Sequence, residues 1–133
     1  MSTRTEAEDR FLIELRPDPA YVATARMFAA ELARQVGLAD DLLDDLKVAV
    51  GEACARALGS GGLEDGLRVK ASRRGDRLFF EVPQGDARQP ASSATDQLTA
   101  ALSLELITVL FEDGEATTDE EGAAVVRFSV PIA

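Results

Sequence analysis

The segment with the strongest potential for chemistry is residues 46–58, where Glu52 and Arg56 stand four positions apart in an apolar helical pattern. Side chains at positions i and i+4 share one face of a helix, so the two charges can approach each other. An ion pair between Glu52 and Arg56 is therefore predicted. Arg56 has no lone pair for a metal ion and carries a charge that repels one, so no metal site is predicted here.

Histidine is absent and Cys54 is the single cysteine. A histidine general base, a phospho-histidine relay and most zinc sites are thereby excluded. Cys54 lies in the apolar helical segment without a base to activate it, which favours a core role over a nucleophilic one. One cysteine cannot form an internal disulfide, and we expect a cytoplasmic protein.

The chain has 133 residues and a net charge of −10, which argues against a surface that neutralises nucleic-acid phosphates. The charge favours basic partners, or it simply keeps the protein soluble. No run approaches the ~18 apolar residues that span a membrane. We expect a flexible lead over residues 1–10 and one domain over residues 11–133.

Hydrophobic periodicity predicts the element order β, α, α, β, β, α, β, β. Asp18 and Pro19 form a helix start, and Gly37 a helix end. The third helix, residues 97–111, has one apolar face: Leu98, Leu102, Leu106 and Leu110. Runs of adjacent strands indicate an α/β (α+β sandwich) fold, with a mostly antiparallel sheet and helices on one face.

The predicted hairpin around Gly75 carries the basic cluster of the chain: Arg68, Lys70, Arg73, Arg74 and Arg77. Two interpretations remain open. The cluster is either a solvated sheet edge protected by charge or a docking edge for an acidic partner.

Residues 46–58 resemble the N-box helix of the bacterial anti-sigma-factor serine kinases, which belong to the GHKL ATPase superfamily. The opening of that family is also similar: a strand comes first, Pro17-Asp18-Pro19 follows it, and a helix then ends at Val36-Gly37-Leu38. The element order agrees over nearly the whole chain, whereas the sequence is specific only from about Leu15 to Leu58. The resemblance implies the histidine-kinase-like ATPase (Bergerat) fold.

The resemblance also implies roles for residues. In the family, a glutamate on this helix acts as base or positions water, and an asparagine four residues later binds Mg²⁺. Glu52 matches the glutamate, but Arg56 stands where the asparagine should be. Glu52 is thus the catalytic candidate only if the chain is an active kinase.

Two further nucleotide-binding motifs of the family are missing. The Asp-x-Gly-x-Gly loop is replaced by a segment with Gln84 and Gly85, and a shifted register that uses Asp86 finds no glycine in residues 87–89. The glycine-rich lead into the last helix has become an apolar helix that contains Ser103. We therefore expect only a remnant site, formed near these residues: Glu52, Arg56, Gln84, Gly85, Asp86 and Ser103.

These features predict a degenerate member of the family that regulates by binding a sigma factor or an anti-sigma antagonist, with no cofactor. The alternative is an active ATP-dependent protein serine kinase with an atypical site, which would need ATP and Mg²⁺. A third hypothesis is a remodelled pocket for another small molecule. By analogy with the family, a homodimer is expected, and direct contact with nucleic acid or membrane is not.

Overall fold

The computed structural model describes residues 9–60, 63, 65–85 and 94–132. Its strands and helices follow the predicted order: β1 Asp9–Leu15, α1 Val22–Gln35, α2 Asp40–Ser60, β2 Leu67–Arg74, β3 Arg77–Pro83, α3 Ala94–Leu110, β4 Glu115–Thr118 and β5 Ala124–Pro131. A short 3₁₀ turn, Pro19–Tyr21, leads into α1. No helix of the described ranges is long and apolar enough to cross a membrane.

The five strands form one antiparallel sheet in the order β1-β2-β3-β5-β4. Its inner face carries a row in which Phe11, Ala71, Phe80 and Phe128 lie opposite one another on four neighbouring strands. The Phe128 ring stacks on Phe80 at 5.5 Å and on Phe111 at 5.2 Å between centroids. The predicted α/β fold with a mostly antiparallel sheet is confirmed.

Helix α2 is the centre of the helical layer, because it contacts both α1 and α3 as well as β2 and β3. Leu46, Val50, Ala53 and Ala57 are fully buried along it at three- and four-residue spacing. The predicted end of α1 is confirmed, whereas the predicted start needs correction, because Asp18 caps the 3₁₀ turn before the helix and α1 itself begins at Val22. Asp18 accepts a 2.9 Å hydrogen bond from the backbone N–H of Ala20, and Gly37 has the left-handed φ of 88° that ends the helix.

Two predicted boundaries need correction. Strand β1 begins at Asp9, so Asp9 and Arg10 belong to the sheet and not to a flexible lead; residues 1–8 lie outside the described ranges. Helix α3 begins at Ala94, three residues before its predicted start at Gln97. Element ends are weakly encoded, because fraying and local capping shift them at little energetic cost.

The predicted apolar face of α3 does not face the core. Leu98, Leu102 and Leu106 are exposed, whereas Ser103 and Ile107 are buried and Leu110 packs partly against the core. Apolar residues occupy nearly every side of α3, so the spacing alone could not identify the buried face.

The reading of the hairpin as a sheet edge is wrong, because β2 and β3 are interior strands and the edges are β1 and β4. The basic residues are held within the sheet. Arg68 forms a 3.1 Å ion pair with Glu14 of β1, and the Arg74 guanidinium lies 3.9 Å from the centroid of the Phe79 ring.

Candidate functional site

Glu52 of α2 and Ser103 of α3 meet where the two helices pack. The Ser103 hydroxyl donates a 2.8 Å hydrogen bond to Oε1 of Glu52. Ser103 is only 4% exposed and Glu52 is half-buried. A carboxylate that accepts a hydrogen bond from a buried hydroxyl is held in one orientation, so Glu52 is fixed toward α3.

Arg56 lies one turn further along α2 and contacts the end of β3. Its Nη1 donates a 3.2 Å hydrogen bond to Oε1 of Gln84. The amide nitrogen of Gln84 donates in turn to the carbonyl oxygens of Ala53, at 3.3 Å, and Val82, at 3.0 Å. Gln84 therefore uses both ends of its amide to attach the exit of β3 to α2.

The predicted ion pair between Glu52 and Arg56 is absent. Each side chain has a different partner, Ser103 for Glu52 and Gln84 for Arg56. An isolated i,i+4 pair contributes only about 0.3–0.5 kcal/mol, so contacts from neighbouring elements can outweigh it. Spacing on one helix could not reveal either partner.

Burial shapes the electrostatics of Arg56. Removal from water lowers the pKa of its guanidinium below the ordinary value. Its Nε is buried and makes no hydrogen bond within the part of the chain that the structure describes. The position that the family resemblance assigns to a metal-binding asparagine thus holds a partly desolvated cation.

Gly85 and Ser60 are hydrogen-bonded to each other at the end of α2, on the side where Arg56 contacts Gln84. The backbone N–H of Gly85 donates a 2.8 Å hydrogen bond to the Ser60 hydroxyl, which donates a 2.7 Å bond to the carbonyl of Ala57. Sequence reasoning missed Ser60 as a contact of Gly85. A serine in a last helical turn is a common motif and gives no specific signal for such a contact.

Five of the six predicted remnant-site residues are therefore attached to one side of α2: Glu52, Arg56, Gln84, Gly85 and Ser103. Asp86 lies outside the described residues. The site can hold a carboxylate and a guanidinium in fixed positions. In the described ranges, no group of three or more His, Cys, Asp or Glu side chains could hold a metal ion.

Cys54 does not contribute to this site. It is fully buried in the core, and burial raises the pKa of its thiol to about 12, although the nearby Arg26 guanidinium partly opposes that rise. A thiol with this pKa is not a nucleophile at neutral pH.

A separate groove of about 930 Å³ lies over the outer face of the sheet. Its floor includes Lys70, Glu81 and Arg127, which lie opposite one another on β2, β3 and β5. Charges of alternating sign across neighbouring strands stabilise a sheet, so this row has a structural explanation.

Comparison with known proteins agrees with this fold and with the resemblance of the N-box helix. The family described as the histidine kinase-like ATPase domain matches residues 15–129. The chain belongs to this family, and within it to the anti-sigma-factor kinase-like proteins.

Two relatives carry the name serine-protein kinase RsbW, one from Bacillus velezensis and one from Bacillus subtilis. Each is 30% identical to this chain in an alignment of 121 positions, which covers 79% of this chain and 76% of the relative. These similarities support a regulatory role.

A solved structure of the RsbU and RsbW domains of Rv1364c from Mycobacterium tuberculosis has a similar fold, with a TM-score of 0.66 and 19% sequence identity. The alignment covers 93% of this chain and 34% of the solved chain. The chain thus spans about a third of the length of that solved protein, and the likeness concerns the fold.

Proposed function

We propose that this protein is a cytoplasmic regulator that binds a sigma factor or an anti-sigma antagonist, without binding Mg-ATP and without phosphotransfer. The observation that carries the proposal is the network around α2. Glu52 is hydrogen-bonded to Ser103, and the position of the expected metal ligand is held by Arg56, itself bound to Gln84.

A bound Mg-ATP fits these residues poorly. The cation would face a guanidinium with no lone pair, so Coulomb repulsion and loss of a ligand act together. Ser103 and its neighbours lie inside the regular helix α3, where Cβ atoms stand in place of the glycines that allow backbone N–H groups to approach phosphates. We therefore derive no catalytic step through the nucleotide.

An active kinase is the second candidate. The names of the Bacillus relatives, serine-protein kinase, and the match of Glu52 to the family's catalytic glutamate favour it. Under this alternative, Arg56 would contact a phosphate directly, since a guanidinium is a strong phosphate ligand.

Titration calorimetry with ATP and ADP, with and without Mg²⁺, tests the proposal. We expect no saturable heat at millimolar nucleotide. Arg56→Asn is the matched variant, because it replaces the cation with the family's ligand type and does not remove the hydrogen bond between Ser103 and Glu52. Saturable binding by the unmodified protein at micromolar nucleotide would overturn the proposal.

Glu52→Ala separates the two candidates in function. A regulator that only binds should retain its partner in a two-hybrid assay against the sigma factors and antagonists of its own organism. An active kinase should lose phosphate transfer from labelled ATP to such an antagonist.

A further inference from the structure

Helix α3 presents an apolar face to solvent. Leu98, Leu102, Leu106 and Val109 are 60%, 55%, 38% and 80% exposed. Spacings of four, four and three residues place them in one line along the helix, which we call the α3 stripe. Single exposed apolar side chains are ordinary, but four on successive turns form a continuous patch of the kind that marks an interaction site.

The opposite side of α3 is apolar as well. Ile107 is fully buried and Ser103 is 4% exposed against α2. A helix that is apolar on both sides is normally covered on both sides. Within the described residues, packing against α2 and the core covers one side of α3 only.

Charge around the α3 stripe restricts what can cover the other side. Helix α3 contains two acidic residues, Asp96 and Glu105, and no Lys or Arg. Glu105 and Glu112 are both exposed, Glu105 beside the stripe and Glu112 just after the helix. A second copy of the same helix would bring these like charges together at a cost, whereas a cationic partner would complement them.

We propose that the α3 stripe docks an amphipathic helix of the partner protein, with an apolar face flanked by Lys or Arg. This inference rests on the proposed function, because it names the chemistry of the segment that the regulator holds. Apolar residues at three- and four-residue spacing match the way in which a helix lies along a hydrophobic surface. The acidic margin orients the partner and accelerates its association.

A synthetic peptide tests the proposal. The probe is a fluorescent helix of about 18 residues, with Leu at three- and four-residue spacing and Lys elsewhere. Two control peptides are used, one of equal composition with scattered Leu and one with Glu in place of Lys. We expect fluorescence anisotropy to show saturable binding of the amphipathic Lys peptide alone.

The matched protein variants change exposed apolar side chains. Leu102→Gln with Val109→Gln removes the middle and the end of the α3 stripe and should weaken binding at least ~10-fold, since two apolar side chains are no longer buried in the complex. Leu12→Gln with Met27→Gln changes exposed apolar residues of β1 and α1, away from α3, and should leave binding unchanged. Urea unfolding verifies that both variants fold, as expected for substitutions at exposed positions.

Three results would overturn the inference. One is equal binding by the two double variants, and another is equal binding of the scattered peptide, which would mean attraction by charge alone. The third is a dimer in sedimentation that the α3 variant converts to monomer, which would assign the stripe to a second copy. If the peptide result contradicts the inference and calorimetry shows no nucleotide binding, the proposed function still stands. Mg-ATP binding would overturn the proposed function whatever the peptide result.

Discussion

The hydroxyl of Ser103 and the carboxylate of Glu52 are joined by a 2.8 Å hydrogen bond that links α3 to α2. The two residues are 51 positions apart in the chain. Because this bond lies on the inner side of α3, it helps to determine which side of the helix is turned outward. The remnant site and the exposed α3 stripe thus lie on opposite sides of α3.

Ser103→Ala should lower the free energy of unfolding by about 1–2 kcal/mol, because it removes the hydroxyl that donates a hydrogen bond to the half-buried Glu52 carboxylate. Urea denaturation measures the loss. Thr108→Ala on the same helix is the control, because the Thr108 hydroxyl is exposed and bonds only to the carbonyl of Glu105. Equal losses in the two variants would show that the bond between the helices contributes nothing.

Gln84→Ala should cost about 1–3 kcal/mol of stability, because it removes three hydrogen bonds and leaves the Arg56 guanidinium without a partner. Gln35→Ala is the control, since Gln35 is exposed and makes one weak 3.4 Å contact with Glu31. A double-mutant cycle with Arg56→Met should give a coupling of at least ~0.5 kcal/mol. Strict additivity would contradict the contact.

The sequence predicted the features that depend on local chemistry. Asp18 caps the 3₁₀ turn that leads into α1 and Gly37 ends α1, because each acts on backbone within a few residues. The partner of Arg56 was not predictable in this way, since Gln84 is 28 residues away and competes with an equally plausible neighbour on the same helix.

The buried face of α3 could not be predicted from the sequence for a different reason. Helical spacing identifies a core face only where the other face is polar. In α3, Leu102 and Ile107 are both apolar, yet Leu102 is 55% exposed and Ile107 is fully buried. Only the packing against α2 distinguishes them.

Cys54 should make the protein less stable in alkali. Burial raises the pKa of its thiol from 9.0 to about 12, with the Arg26 guanidinium partly opposing the rise. Between these values the unfolded chain loses a proton that the folded chain keeps, so the free energy of unfolding decreases with rising pH, by up to about 1.4 kcal/mol per unit.

Urea unfolding of the unmodified protein and of Cys54→Ala across this alkaline range measures the contribution of the thiol. Other groups titrate equally in both proteins, so the difference between their slopes belongs to Cys54. The variant should have the shallower slope, whatever its stability at neutral pH. Parallel curves would mean that the thiol ionises as easily in the fold as in the unfolded chain.

Alanine substitution at two glycines should change the stability of the protein in opposite directions. At Gly114 an added Cβ would lie 2.8 Å from Cγ2 of the buried Ile107 and 3.0 Å from the carbonyl oxygen of Phe111, so overpacking should cost about 1–3 kcal/mol. At Gly59, in the last turn of α2, nothing lies within 4 Å, and alanine should stabilise the helix by about 0.5–1 kcal/mol. Thermal unfolding of both variants shows whether each one is more or less stable than the unmodified protein. If Gly114→Ala were neutral, Ile107 would have room to move, and the packing that fixes the buried side of α3 would be looser than these distances require.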